Sequence, residues 1–310
     1  MLNRRILRIK AFKVLYSYAE NPDLSLKEAL GSLETSAEAT RDLYLYMMAV
    51  IPALTHEAAR RIDAAKAKFN PTEEDLNPNM TFALNGVCSI LENDPGFIRL
   101  LEKKKFSWTQ NDAFISELYA RLKTRKYYED YMTSGTSSLK EDAALWKSVF
   151  EEEFEDDEAL AAILEDLSIH WADDLAYALG CCIRSLEEIG RLGRWTYPEL
   201  YQSEGEEFVK KLLSAAYGRF SEYSALIADS VSKWDRDRLY ATDIVLIAMG
   251  LAEAETFPEI PVRVTINEYV EISKYYSTPK SRGFVNGLLD RLIKDGESKG
   301  KIVKNNNTIQ

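Results

Sequence analysis

Apolar residues recur along this chain at three- and four-residue spacings, and no two segments alternate convincingly with the period of two that a sheet requires. That periodicity restricts the chain to an all-α fold built of amphipathic helices. The breakers fall where helix connections belong: Asn21-Pro22, Asn70-Pro71, Asn77-Pro78, Asp94-Pro95-Gly96, Ser134-Gly135-Thr136, Gly190 to Pro198, and Pro258 to Pro261. Ser25 suits an N-cap, with Glu28 placed to complete a capping box. Asp235 to Glu255 carries enough apolar residues for a largely buried helix. The polar stretch from Gly296 to Gln310, with three consecutive asparagines, reads as a flexible tail.

No apolar run approaches the roughly 20 residues of a membrane-spanning helix, and charges interrupt the N-terminus too often for a signal peptide. A cytoplasmic protein without a membrane partner is expected. Cys88, Cys181 and Cys182 form no CxxC pair, and His56 and His170 are the only histidines, so no metal or cofactor is expected. Glycine-rich phosphate loops, GxSxG elbows and HExxH pairs are absent from the sequence. The adjacent acids Asp173 and Asp174 diverge by about 100° on a helix. These features point away from catalysis. The acidic block from Glu151 to Glu158 reads as a solvated helix end or loop.

Charge is unevenly spread. The chain carries −11 overall, yet residues 1–20 hold five Lys/Arg against Glu20, and residues 261–310 hold nine against five acids. Each end is therefore +4 on an acidic body, an asymmetry that suits a localised anionic partner.

The first helix sharpens this. At about 100° per residue, Arg4, Arg5, Arg8, Phe12 and Tyr16 share an arc of roughly 120°, beside an apolar arc of Leu7, Ala11, Val14, Leu15 and Tyr18. Guanidinium forks match phosphate oxygens, and aromatic rings stack on unpaired bases. Cations at a helix N-terminus oppose the macrodipole unless an anion binds there. Near the other end, Thr278 suits an N-cap and Pro279 a first helical position, which places Lys280 and Arg282 in a second cationic first turn. Two readings stay open: a polyanion-binding face, or surface salt bridges to the acidic body. Beyond that turn, Gly283 and Gly287 share a helical face as close helix packing would require, and Phe284 is more often core than a stacking platform. Asn267 and Glu268 read as structural caps.

Several blocks of the sequence resemble the NusB transcription antitermination family. Arg4-Arg5-Ile6-Leu7-Arg8 followed by Val14-Leu15-Tyr16-Ser17-Tyr18 resembles that family's arginine-rich first helix. Val264 to Glu271 is similar to its VAINEAVE segment, and Gly283 to Asp290 to its FVNGVLD signature. Phe208 to Glu253 fits the two preceding helices, with Trp234, Arg238 and Asp243 at characteristic places. The resemblance covers residues 1–20 and about 206–295. It implies one all-helical module over 1–295, expanded at about 21–205, followed by the tail at 296–310.

The resemblance further implies a non-enzymatic, RNA-binding antitermination factor. Its partners would be NusE, a small-subunit ribosomal protein, and single-stranded boxA-like RNA of ribosomal RNA transcripts, with NusA, NusG and RNA polymerase in the larger complex. By position, Arg4, Arg5, Arg8 and Tyr16 match the first-helix RNA contacts, and Lys280, Arg282 and Phe284 the second patch. Ile6 stands where an arginine is common, Lys280 where an acid is frequent, and Ala248 where an arginine is usual. One alternative is a protein-interaction scaffold in ribosome biogenesis without direct RNA binding. Another, an RNA methyltransferase fusion, requires a glycine-rich α/β half that the sequence lacks.

Overall fold

A computed structural model of the chain describes residues 1–134, 138–231 and 240–305. Every regular element among them is helical, and the one β-like feature is an isolated parallel bridge between Leu2 and Tyr201. The all-α expectation holds. No helix among the described residues is long and apolar enough to cross a membrane.

In chain order the helices are α1 (Arg4–Glu20), α2 (Leu26–Met48), α3 (Val50–Lys66), α4 (Glu73–Leu76), α5 (Gly86–Glu92), α6 (Pro95–Lys104), α7 (Asp112–Leu122) and α8 (Lys126–Thr133). There follow α9 (Leu139–Glu152), α10 (Glu158–Leu167), α11 (Leu175–Leu192), α12 (Gly205–Gly218), α13 (Phe220–Ser230), α14 (Ala241–Thr256), α15 (Val262–Tyr276) and α16 (Ser281–Ser298). The capping box that opens α2 forms as the sequence suggests. The Ser25 N–H donates to Glu28 Oε2 at 2.9 Å, and the Glu28 N–H returns a bond to Ser25 Oγ at 3.3 Å.

The chain folds as two compact units, 1–37 with 200–310 (unit 1) and 38–199 (unit 2). In unit 1, α14 is apolar on every side, and Val245, Leu246, Ile247, Ala248 and Met249 are all fully buried. Such a helix must be central, and α1, α12, α13, α15 and α16 all pack against it. Gly250 permits the closest approach: a Cβ there would lie 2.7 Å from a Leu289 methyl of α16 and 3.3 Å from the Tyr269 ring of α15. The N-terminus is tied down before α1 begins, because the Leu2 N–H donates to the Leu200 carbonyl at 2.8 Å.

Sequence composition places a flexible tail from residue 296, whereas the chain stays anchored well past that point. Ile302 is buried against Gly296, and the Asn305 N–H donates to the Pro258 carbonyl at 3.0 Å. Residues 306–310 lie outside the described residues.

Unit 2 is aromatic at its centre. It holds four of the chain's five tryptophans, and each indole N–H is satisfied: Trp108 on the Tyr46 carbonyl, Trp146 on Asn85, Trp171 on the Ala39 carbonyl and Trp195 on the Tyr44 hydroxyl. The acidic block is not a uniformly solvated stretch. Glu153 is fully buried and receives Arg121, Arg125 and the Tyr127 hydroxyl, while Asp157 accepts from Arg121 and caps α10. Burial opposes the Glu153 charge, but those donors prevail and hold its carboxyl below the usual range.

Candidate nucleic-acid interface

The N-terminal cap of α1 is Asn3, whose side chain accepts from the Ile6 N–H at 3.1 Å. Leu7, Ala11, Val14 and Leu15 bury the expected apolar arc. The cationic arc divides in two, because its inner edge turns into the core.

Arg8 is 3% exposed. Its guanidinium forks onto the fully buried Glu253 of α14, with Nε at 2.7 Å and Nη2 at 3.0 Å. Glu253 also accepts from the Thr265 hydroxyl at 2.9 Å and the Tyr269 hydroxyl at 3.1 Å, so four donors meet one carboxylate. Burial, the largest single influence, would lower the Arg8 pKa, but the Glu253 hydrogen bond and the charges of Glu253 and Glu268 together outweigh it and the pKa rises. The expectation of a direct RNA contact by Arg8 is therefore corrected: this side chain joins α1 to α14 inside the unit. Phe12, on the same edge, is buried as well.

Arg4, Arg5 and Tyr16 remain accessible. The Arg4 guanidinium lies 5.0 Å from the Phe208 ring centre and forms no ion pair among the described residues. Arg5 forks onto Glu268 of α15, Nη2 at 2.8 Å and Nε at 3.0 Å. Glu268 is thus no mere cap, and its hydrogen bonds from Arg5 hold its carboxyl below the ordinary range. Further along α1, Tyr16 neighbours Phe12 at 6.3 Å, and Phe12 neighbours Tyr276 of α15 at 5.4 Å. Lys13 sits over the Tyr276 ring at 5.5 Å. Side chains thus bridge α1 and α15 in two places, in a parallel sense: Arg5 to Glu268, then Phe12 to Tyr276.

The second cationic turn is built around Asp243, fully buried at the start of α14. Its carboxylate accepts from Ser277 Oγ at 2.6 Å and Ser281 Oγ at 2.8 Å, and Ser281 Oγ also pairs with the Thr278 hydroxyl at 2.9 Å. This hydroxyl cluster fixes the α15–α16 connection. Regular helix begins at Ser281, later than the sequence suggests, after a turn through Pro279 and Lys280 in which the Ser281 N–H donates to the Thr278 carbonyl at 2.9 Å. Lys280 and Arg282 are exposed and form no ion pair among the described residues, and Phe284 is half-buried. The close-packing role expected of Gly283 and Gly287 is corrected. Both are exposed, and a Cβ at either would meet nothing within 4 Å.

The two clusters share an electrostatic neighbour. Glu271 of α15 is held below its usual range first by Lys274, its 2.5 Å partner, and more weakly by both Arg5 and Arg282. Arg5 and Arg282 therefore both lie within electrostatic reach of Glu271, and Arg5, Phe12 and Lys13 of α1 meet α15, whereas Arg4 lies over Phe208 of α12. Sequence reasoning missed Lys13 and Tyr276, although Lys13 lies three residues before Tyr16. It could not have found Glu253 or Glu268 as arginine partners, because periodicity carries no information across 245 residues. Trp234 and Arg238 lie outside the described residues.

The overall negative charge is not divided evenly between the two units. Unit 2 holds thirty Asp/Glu against eighteen Lys/Arg, whereas unit 1 holds twenty against twenty-one. Among the described residues no group of His, Cys, Asp and Glu could hold a metal ion.

Residues 195–294 match the sequence profile of the NusB family. Curated relatives named transcription antitermination protein NusB align with parts of the chain. That of Chloroherpeton thalassium is 30% identical over 120 residues, 38% of this chain and 57% of the relative. Those of Listeria monocytogenes and Thermodesulfovibrio yellowstonii are 32% and 33% identical over 90 and 109 residues, covering 29% and 35% of this chain and 70% and 72% of the relatives. The alignment thus spans little more than half of the Chloroherpeton protein. No solved structure gives a match. On the profile match and these identities, the chain belongs to the NusB family.

Proposed function

We propose that this protein is a non-enzymatic transcription antitermination factor of the cytoplasm. It pairs with NusE on single-stranded boxA-like RNA of ribosomal RNA transcripts, and the pair joins NusA, NusG and RNA polymerase. In this reading unit 1 is the NusB-like module and residues 38–199 its helical expansion.

One observation carries the proposal. Arg4, Lys280 and Arg282 are exposed without an ion-pair partner among the described residues, Tyr16 and Phe284 are partly exposed on the same two helices, and Arg5 and Arg282 both lie within electrostatic reach of Glu271. Cations near helix starts that oppose the macrodipole, beside accessible aromatic rings, suit a phosphate strand with unpaired bases. The hydroxyl cluster around Asp243 supports this, since it holds the second cationic turn in place before any ligand arrives.

The test is a gel shift of the full chain with a boxA oligonucleotide, with and without NusE. A retarded band that strengthens with NusE is expected. Arg4→Ala with Arg282→Ala should weaken binding at every salt concentration and flatten the log–log salt slope by about 1.4 for two lost phosphate contacts on a single strand. An unchanged slope removes these arginines from the interface. NusE binding without any RNA shift would favour the protein scaffold instead.

A further inference from the structure

Arg5 already holds an anion, and the geometry of that pair suits exchange. The Arg5 side chain is 54% exposed, whereas Glu268 is 16% exposed and lies behind it. Glu268 has a second cation at hand, for Arg8 Nη1 stands 3.5 Å from its Oε2. Arg8 itself is anchored by its own pair with the fully buried Glu253, which does not involve Arg5. Glu268 would thus keep a cationic neighbour after losing Arg5, which removes the usual penalty for stranding a half-buried carboxylate. Arg5 projects into solvent, where a phosphodiester can offer the same two-oxygen fork.

We propose that Glu268 is an anionic latch on Arg5, occupying the guanidinium in the free protein and yielding it to an RNA phosphate. This rests on the RNA-binding reading above. The latch subtracts from affinity for any polyanion that touches Arg5 alone. A strand that also engages Arg4, Lys280 and Arg282 recovers the difference through those further contacts, so the carboxylate favours ligands long enough to span both clusters.

The sign of one substitution separates this role from simple positioning. If Glu268 merely held Arg5 in place for RNA, Glu268→Gln would weaken binding. If it is a latch, Glu268→Gln should tighten binding of a boxA oligonucleotide about two- to five-fold at low salt, the range open to a half-exposed ion pair. The log–log salt slope should steepen by about 0.7, since one more bare cation meets the strand. Arg5→Ala with Glu268→Gln should abolish that gain. Filter binding of the full chain reads all three.

A second measurement needs no variant: the Arg5 Nε–H resonance of the wild-type protein should move on addition of saturating oligonucleotide. Equal or weaker binding by a folded Glu268→Gln protein overturns the latch, as does a gain that persists in the double variant or an Arg5 resonance unmoved at saturation. Failure of the wild-type protein to bind RNA at any salt concentration would overturn the RNA reading itself and the latch with it. Wild-type binding with an unimproved Glu268→Gln protein would sink the latch alone.

Discussion

Arg8→Ala should damage the fold rather than the interface, and the size of the effect follows from the groups left behind. The substitution strips two charge-assisted hydrogen bonds from Glu253, a carboxylate with no solvent exposure. Thr265 and Tyr269 still donate to it, but neither carries charge. An uncompensated buried charge of this kind costs about 3–5 kcal/mol. Arg5→Ala, three residues earlier on the same helix, breaks a pair whose arginine is 54% exposed and should cost under about 1 kcal/mol.

Urea titration followed by far-UV circular dichroism distinguishes the two. With a slope of roughly 2–3 kcal/mol per molar, Arg8→Ala lowers the midpoint of unit 1 by about 1–2.5 M. A double variant gives the internal check. Arg8→Met with Glu253→Gln removes both charges, keeps a carbonyl acceptor for Thr265 and Tyr269, and should recover much of the loss. Arg8→Ala within about 0.5 kcal/mol of wild type, the range of an ordinary surface substitution, would refute the assignment of Arg8 to the interior.

Two further outcomes follow from the same unit. Gly250→Ala drives a methyl into Leu289 and should destabilise by about 1–3 kcal/mol, whereas Gly283→Ala and Gly287→Ala enter open space and should each stabilise by about 0.5–1 kcal/mol in thermal melts. Glu268 contributes to the pH dependence: its pKa is lower folded than unfolded, so its contribution is present above the unfolded value of about 4.3 and is lost as pH falls through the folded one. The stability gap between wild type and Glu268→Gln, under about 1 kcal/mol at pH 7 because Arg5 is half in solvent, should shrink below about pH 4.3. Urea midpoints at pH 7, 5, 4 and 3 check this, and a gap that widens on acidification would count against the Arg5–Glu268 pair.

Helix identity was legible because period is a local property. The capping box at Ser25, the breakers between helices and the all-round apolar character of α14 each lie within a few residues of one another. The cationic arc of α1 was legible for the same reason, but its depth was not. An arc of roughly 120° has an edge that dips toward the core, and whether Arg8 lies above or below the surface depends on Glu253, Thr265 and Tyr269 on other helices. The glycines show a similar limit. Spacing suggested close packing at Gly283 and Gly287, yet both are open, while Gly250, on a helix whose every face looks alike in sequence, is crowded. In the acidic block, Glu153 could not be separated from its neighbours, because Arg121 and Arg125 reach it from the α7–α8 region.

Because unit 1 is assembled from two segments on either side of unit 2, its completion waits for unit 2 to be synthesised. Helix α1 leaves the ribosome before unit 2, but α12, with which it packs, begins at residue 205. At about 5–20 residues per second, that partner follows roughly 10–40 s later. Unit 2 is continuous and can fold in the interval, shortening the disordered span across which α1 must find α12. Until then the apolar arc of Leu7, Ala11, Val14 and Leu15 lacks its α12 neighbour, so the nascent chain is open to chaperones and proteases before unit 1 closes.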